Sequence, residues 1–191
     1  MLNLQKWSEK QIIMAIMRIY KYGEQILRRK MKPVDLTQIR SLRSIIDDMF
    51  ETMDNAQGVG LAANQVGLDM RLAVISVPIK GTEDFQDVVL INPVIVQKEG
   101  EMHEEEGCLS FPGIYAKVRR FQKITVHTFN ERGIPVEIKA EGLLAKAIQH
   151  EMDHLDGICF VDKVSPIAKI RMKGQLAKIM SATDKEKAKR K

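Results

Sequence analysis

The sequence predicts an α+β fold: antiparallel or mixed sheets packed around a central helix bearing His-Glu-x-x-His, with a helix on the N-terminal side and another at the C-terminus. Three observations predict it. Apolar residues recur at intervals of three and four only towards the two ends of the chain. Runs rich in branched residues cluster between those ends. The two kinds of segment do not alternate, which argues against a succession of βαβ units.

Residues 36–55 predict the first helix, because Leu36, Ile39, Leu42, Ile45, Ile46, Met49, Phe50 and Met53 form one apolar stripe. Asp35 or Thr37 is placed to cap its start. The next stretch, Gly58-Val-Gly-Leu-Ala-Ala-Asn-Gln65, is too poor in bulk for a core helix. Strand candidates are 71–77, ending at Pro78, then 88–91 and 94–96 on either side of Asn92-Pro93. A hairpin is predicted from 124–129 and 134–138, joined by Asn130-Glu-Arg-Gly133. Residues 141–155 predict a helix that stops near Gly157; Leu143, Leu144, Ala147, Ile148 and Leu155 make it a largely buried one. A last helix is predicted over about 166–180.

A chain of 191 residues with 45% hydrophobic and 29% charged residues suits one domain with one substantial core. The expected division is an extension over 1–13, a catalytic unit over 14–180 and a basic tail over 181–191. No apolar run approaches the roughly 20 residues that span a bilayer, so no membrane association is expected. Two cysteines and no recognisable export signal point to the cytoplasm rather than to a disulfide framework. The net charge of +5 is unevenly placed, because from Lys163 onward ten bases face two acids. That end is either a solvated tail or a surface for a polyanion such as ribosomal RNA.

The strongest local signal is His150-Glu151-Met152-Asp153-His154. Four residues make a little over one helical turn, so both imidazoles lie on one face and can share a metal, with Glu151 beside it. On an otherwise apolar helix, two histidines and a carboxylate need a polar partner, and a metal supplies one. A catalytic metal usually has three protein ligands and an open position. The candidates for the third are Cys108, Cys159, Asp153, Asp156 and the acids near Glu104. Asp153 lies around the helix from the histidines, and Cys159 sits among Ile158, Phe160 and Val161 as a core residue would. Cys108 lies in Glu104-Glu-Glu-Gly-Cys-Leu-Ser110, where Gly107 permits close backbone approach. A separate possibility is Cys108 as a nucleophile with a histidine as base, which leaves the His-Glu-x-x-His spacing unexplained.

Three segments together resemble the peptide deformylase family: Gly58-Val-Gly-Leu-Ala-Ala-Asn-Gln65, Glu106-Gly-Cys-Leu-Ser110 and Gln149-His-Glu-Met-Asp-His-Leu-Asp-Gly157. All three match the family's patterns without a gap and in order, and the similarity extends from about Met17 to about Val164. The resemblance implies metal-dependent removal of the formyl group from N-formylmethionyl nascent polypeptides, with release of formate. It implies Cys108, His150 and His154 as metal ligands, with Fe²⁺ in the cell and Zn²⁺, Ni²⁺ or Co²⁺ as substitutes. The donor set alone suits zinc at least as well. Glu151 is then the base and not a ligand, and the Gln65 side-chain amide and Leu109 backbone N–H stabilise the oxyanion. By the same resemblance the peptide lies as an added strand near Gly60 and Gly107. Its methionine side chain meets Val59, Leu143, Ala147 and the ring of His150. Lys146 and Glu104 depart from the apolar residues that some relatives carry at the rim of this pocket, and Tyr115 is a candidate peptide contact.

Two rival readings have discriminators in the sequence. A zinc endopeptidase would take its third ligand, often a glutamate or histidine, from downstream of His154, where the chain has no histidine and one glutamate, Glu186. A non-catalytic ribosome-associated binding protein would have lost a ligand or the base, and none is lost. His127 is expected at the surface of a strand, and His103 matches no motif.

Overall fold

The structure, a computed structural model, describes residues 15–189; the expected extension over 1–13 lies outside the described residues. The elements are α1 (Arg43–Asn55), β1 (Gly60–Ala62), β2 (Leu72–Pro78), β3 (Phe85–Glu99), β4 (Met102–Glu106), β5 (Ala116–Arg120), β6 (Lys123–Phe129), β7 (Pro135–Glu141), α2 (Gly142–Leu155) and α3 (Pro166–Ala188). Five strands form one sheet in the order β1-β2-β3-β6-β7, and β4 pairs with β5 in a second. Every pairing among the described residues is antiparallel, so the α+β class holds with antiparallel sheets.

Strand β2 explains the layering. Its side chains alternate between faces: Ala73 and Ile75 pack with Ala145, Ile148, Met152 and Leu155 of α2. Leu72 and Val74 pack with Ile46, Met49 and Met53 of α1. A strand covered on both faces reads as a continuous apolar run, which is what residues 72–75 show. Helix α2 is thus seated on the sheet. It ends in a Schellman turn, where the Ile158 N–H reaches the Asp153 carbonyl (2.9 Å) and Gly157 takes φ +73°. A Cβ on Gly157 would stand 2.8 Å from the Arg28 carbonyl carbon, so the close pass of that segment also requires glycine. A third cluster joins Phe111, Ile114 and Val118 to Phe160 and to Met172 and Leu176 of α3.

Several boundaries differ from the sequence expectation. Residues Leu36–Leu42 wind as a 3-10 helix, and the α-helix starts only at Arg43. The Asp35 side chain accepts from the Thr37 N–H while its carbonyl accepts from Gln38, which fixes a tight first turn. The two strands expected around Asn92-Pro93 are one strand, β3. Asn92 takes φ +52° at a bulge and exchanges two hydrogen bonds with the Val34 backbone. Leu143 is not a core residue of α2; it is 41% exposed and faces the cleft described below. Helix α3 runs to Ala188, well past residue 180. Ser165 caps its start and Pro166 follows, while alanine, lysine and glutamate carry it on without an apolar stripe. Thr183 is buried there, and Lys187 donates to the Gly23 carbonyl at 2.6 Å.

Candidate metal centre

Helix α2 brings His150, Glu151 and His154 to one end of a cleft of about 580 Å³, and the turn after β4 brings Cys108 to meet them. The Cys108 sulfur lies 3.2 Å from His154 Nε2, and one donor atom from each of Cys108, His150 and His154 falls within 4.8 Å of the others. Bonds of about 2.3 Å to sulfur and about 2.0 Å to nitrogen place ligand atoms at such separations around one ion. The three residues therefore form a metal-binding site. A thiolate with two imidazoles is also a donor set for a soft or borderline divalent ion.

The surroundings prepare these donors. His150 Nδ1 is 2.9 Å from Glu106 Oε2, which leaves Nε2 for an ion. Glu106 accepts two bonds from Arg120 (2.7 and 2.9 Å), and Arg120 reaches Asp153 at 2.5 Å. Burial opposes the Glu106 charge, but the bonds from Arg120 and His150 outweigh it and hold its carboxyl down to about 2. Burial keeps His154 well below the ordinary histidine range, so its ring is neutral, the state a metal ligand needs. Asp153, as expected, is turned away and also pairs with Lys163.

Glu151 is 3% exposed, and its Oε2 has no hydrogen-bond partner among the described residues. Burial pushes its carboxyl up to about 7. An orphaned buried oxygen beside a ligand triangle calls for a guest with a polar group. Gly60 makes room for it: a Cβ there would collide with the carboxylate and lie 2.9 Å from Glu151 Cδ. Gly58 likewise admits Leu109, and Gly107 lies under the Tyr115 ring. Each of these glycines makes room for a side chain of the protein itself. Gly60→Ala should lower kcat about 10²-fold through a displaced carboxylate, with metal content unchanged; turnover by metal-loaded protein checks it.

Gln65 is buried. Its Oε1 accepts from the Ala62 N–H (2.8 Å), and its Nε2 lies 3.2 Å from Ser110 Oγ and 3.5 Å from the Cys108 sulfur. Three consecutive residues clamp this region. The Tyr20 N–H donates to the Gln65 carbonyl, Lys21 Nζ to the Leu109 carbonyl and the Tyr22 N–H to the Ser110 carbonyl, at 2.7, 2.6 and 2.9 Å.

All the expected site residues converge here. Val59, Gly60, Gln65, Gly107, Cys108, Leu109, Leu143, Ala147, His150 and Glu151 line the cleft, and His154 lies buried behind Cys108. Tyr115 lines it too, 65% exposed. Cys159 is core: burial pushes its thiol up to about 12. Asp156 pairs with Arg71 and Glu104 with Lys146, so neither completes the triangle. His127 pairs with Glu137 on the sheet surface, and His103 is exposed on β4. Sequence reasoning missed Lys21, Ser110 and Arg120. Only the alternating burial of β5 could have singled out Arg120, which points inward while Arg119 is exposed.

Comparison with known proteins agrees with this geometry. The polypeptide deformylase family matches residues 16–170. A peptide deformylase of Elusimicrobium minutum is 50% identical over 171 residues, which cover 87% of this chain and 97% of that protein. Among solved structures, a peptide deformylase from Legionella pneumophila is similar with TM-score 0.78 and 43% identity, covering 89% of this chain and 98% of that one. One from Thermus thermophilus gives TM-score 0.79 and 37% identity, covering 88% and 99%.

Proposed function

The chain belongs to the polypeptide deformylase family and removes the N-formyl group of nascent peptides, and we propose that Cys108, His150 and His154 hold the divalent ion while Glu151 serves as the base. The observation that carries this is the ligand triangle with a buried, unpartnered carboxylate oxygen beside it. When bound, the ion polarises the formyl carbonyl and lowers the pKa of a water from about 16 towards 7.

The remaining steps fall to side chains and backbone of the chain. Glu151 takes the proton of the attacking water and delivers it to the departing amine nitrogen, a task for which a carboxyl near 7 is matched. The Gln65 amide and the Leu109 N–H donate to the developing oxyanion; the clamp from Tyr20, Lys21 and Tyr22 supports the idea that both are held in advance. Val59, Leu143 and Ala147 supply the apolar wall for the methionine side chain, and Gly60 and Gly107 the backbone beside which the peptide lies.

The ion proposed for the cell is Fe²⁺, on family resemblance, with Zn²⁺, Ni²⁺ and Co²⁺ able to occupy the same donors. The catalytic unit is proposed as 14–180, with 181–191 a basic segment whose residues up to Ala188 continue α3. Exposed bases on α3 favour contact with ribosomal RNA, and the cytoplasm is the proposed compartment. Among the described residues no helix is long and apolar enough to cross a membrane.

The test is a formylmethionyl peptide incubated with anaerobically purified protein. One formate released per peptide, with the peptide otherwise intact, supports the reading. Cleavage at an internal peptide bond would favour the endopeptidase, and no turnover by metal-loaded protein would favour a binding role.

A further inference from the structure

Two polar bridges cross from α2 to β4. The inner one joins His150 to Glu106 at 2.9 Å, and the outer one joins Lys146 Nζ to Glu104 Oε2 at 2.7 Å. Their spacings match. Four residues advance a helix by about 6 Å, and two residues advance a strand by roughly 6.6 Å. The bridges are therefore successive rungs between the same two elements. The inner rung orients a metal ligand. The outer rung has no part in the reaction described above, yet Lys146 lines the cleft beside Leu143 and Ala147.

The two partners of the outer rung are unequally exposed: 17% for the Lys146 side chain and 54% for Glu104. The lysine stem thus covers the cleft wall while its ammonium is drawn outward, held by Glu104 and by the Glu105 carbonyl at 3.4 Å. We propose that the Glu104–Lys146 ion pair determines which first side chain the cleft accepts, an inference that rests on the reading of this cleft as the pocket for that side chain. With Glu104 in place the substrate meets methylene groups, and an unbranched apolar side chain fits. A substrate carboxylate must compete with Glu104 for the ammonium. Without Glu104 the ammonium is free to turn into the pocket, where it repels methionine by its need for water and attracts an acidic side chain.

The test compares formyl-Met-Ala-Ala with formyl-Glu-Ala-Ala as substrates of the metal-loaded enzyme. Glu104→Gln should raise KM for the methionine peptide about fivefold with kcat unchanged, and should shift the Met-to-Glu ratio of kcat/KM about tenfold towards glutamate, as loss of one partly exposed ion pair permits. Adding Lys146→Met should return the methionine KM to the parent value and abolish the gain on glutamate. Lys146→Met alone should leave methionine peptides well used and glutamate peptides worse. An unchanged ratio in Glu104→Gln, or an equal loss on both peptides, overturns the proposal and leaves the pair a mere tie between α2 and β4. Leu143→Asp tests the underlying reading separately. Leu143 is exposed enough to change without unfolding the core; an unmoved methionine KM in that variant would show that the first side chain goes elsewhere.

Discussion

Glu151→Ala retains its metal and loses about 10² to 10⁴ in kcat, the usual worth of a positioned general base. The carboxylate touches none of the three proposed ligands by any hydrogen bond, and the bare backbone of Gly60 leaves room for it. Removing it therefore leaves the coordinating atoms and their supports, Glu106 and Arg120, where they are. What disappears is the acceptor for the water proton. KM should stay within a few-fold of the parent, since Glu151 lies at the floor of the cleft and the apolar wall is elsewhere. Glu151→Gln is the isosteric control and should be as poor, because an amide cannot take the proton. Metal analysis alongside single-turnover formate release checks both; a Glu151→Ala variant with ordinary turnover would remove the base from this position.

Cys108→Ser has an effect of another kind: it strips the site. A serine hydroxyl is not ionised near neutral pH, so the variant loses the anionic, soft member of the donor set. Even partners one step removed from a metal cost 10–100-fold in affinity when changed, so loss of a direct ligand should cost at least about 100-fold. The fold should persist, because Cys108 sits at the edge of its cluster and is not among its fully buried members. The measurement is ion retained after dialysis against a chelator, compared with the parent. Full retention would mean that the sulfur is not a ligand.

Much of this site was legible because helical geometry does the work. His150 and His154 are one turn apart on any straight helix, and Glu151 must follow the first of them. The helix itself was legible from its apolar residues, and β2 from its branched run. What escaped reading depends on contacts between distant segments. Strands β4 and β5 are short and charged, and their pairing is fixed by inward positions such as Glu106 and Arg120, which look like ordinary surface charges in a linear sequence. Gly60 reads as a flexible residue near a ligand; its actual neighbour, Glu151, is ninety-one positions away. Helix α3 continues past residue 180 on propensity and on contacts with the segment around Gly23, neither of which leaves an apolar period. Lys146 and Glu104 stood out as departures from an apolar rim, but that they pair with each other beside the cleft is a fact of register between a helix and a strand.

The most direct test of the central claim is the absorption spectrum of the protein loaded with Co²⁺. Coordination by Cys108, His150 and His154 predicts one bound cobalt per chain with a thiolate-to-cobalt charge-transfer band, preserved in Glu151→Ala and absent from Cys108→Ser. A cobalt-loaded parent without that band, or a Cys108→Ser variant that keeps it, would contradict the account.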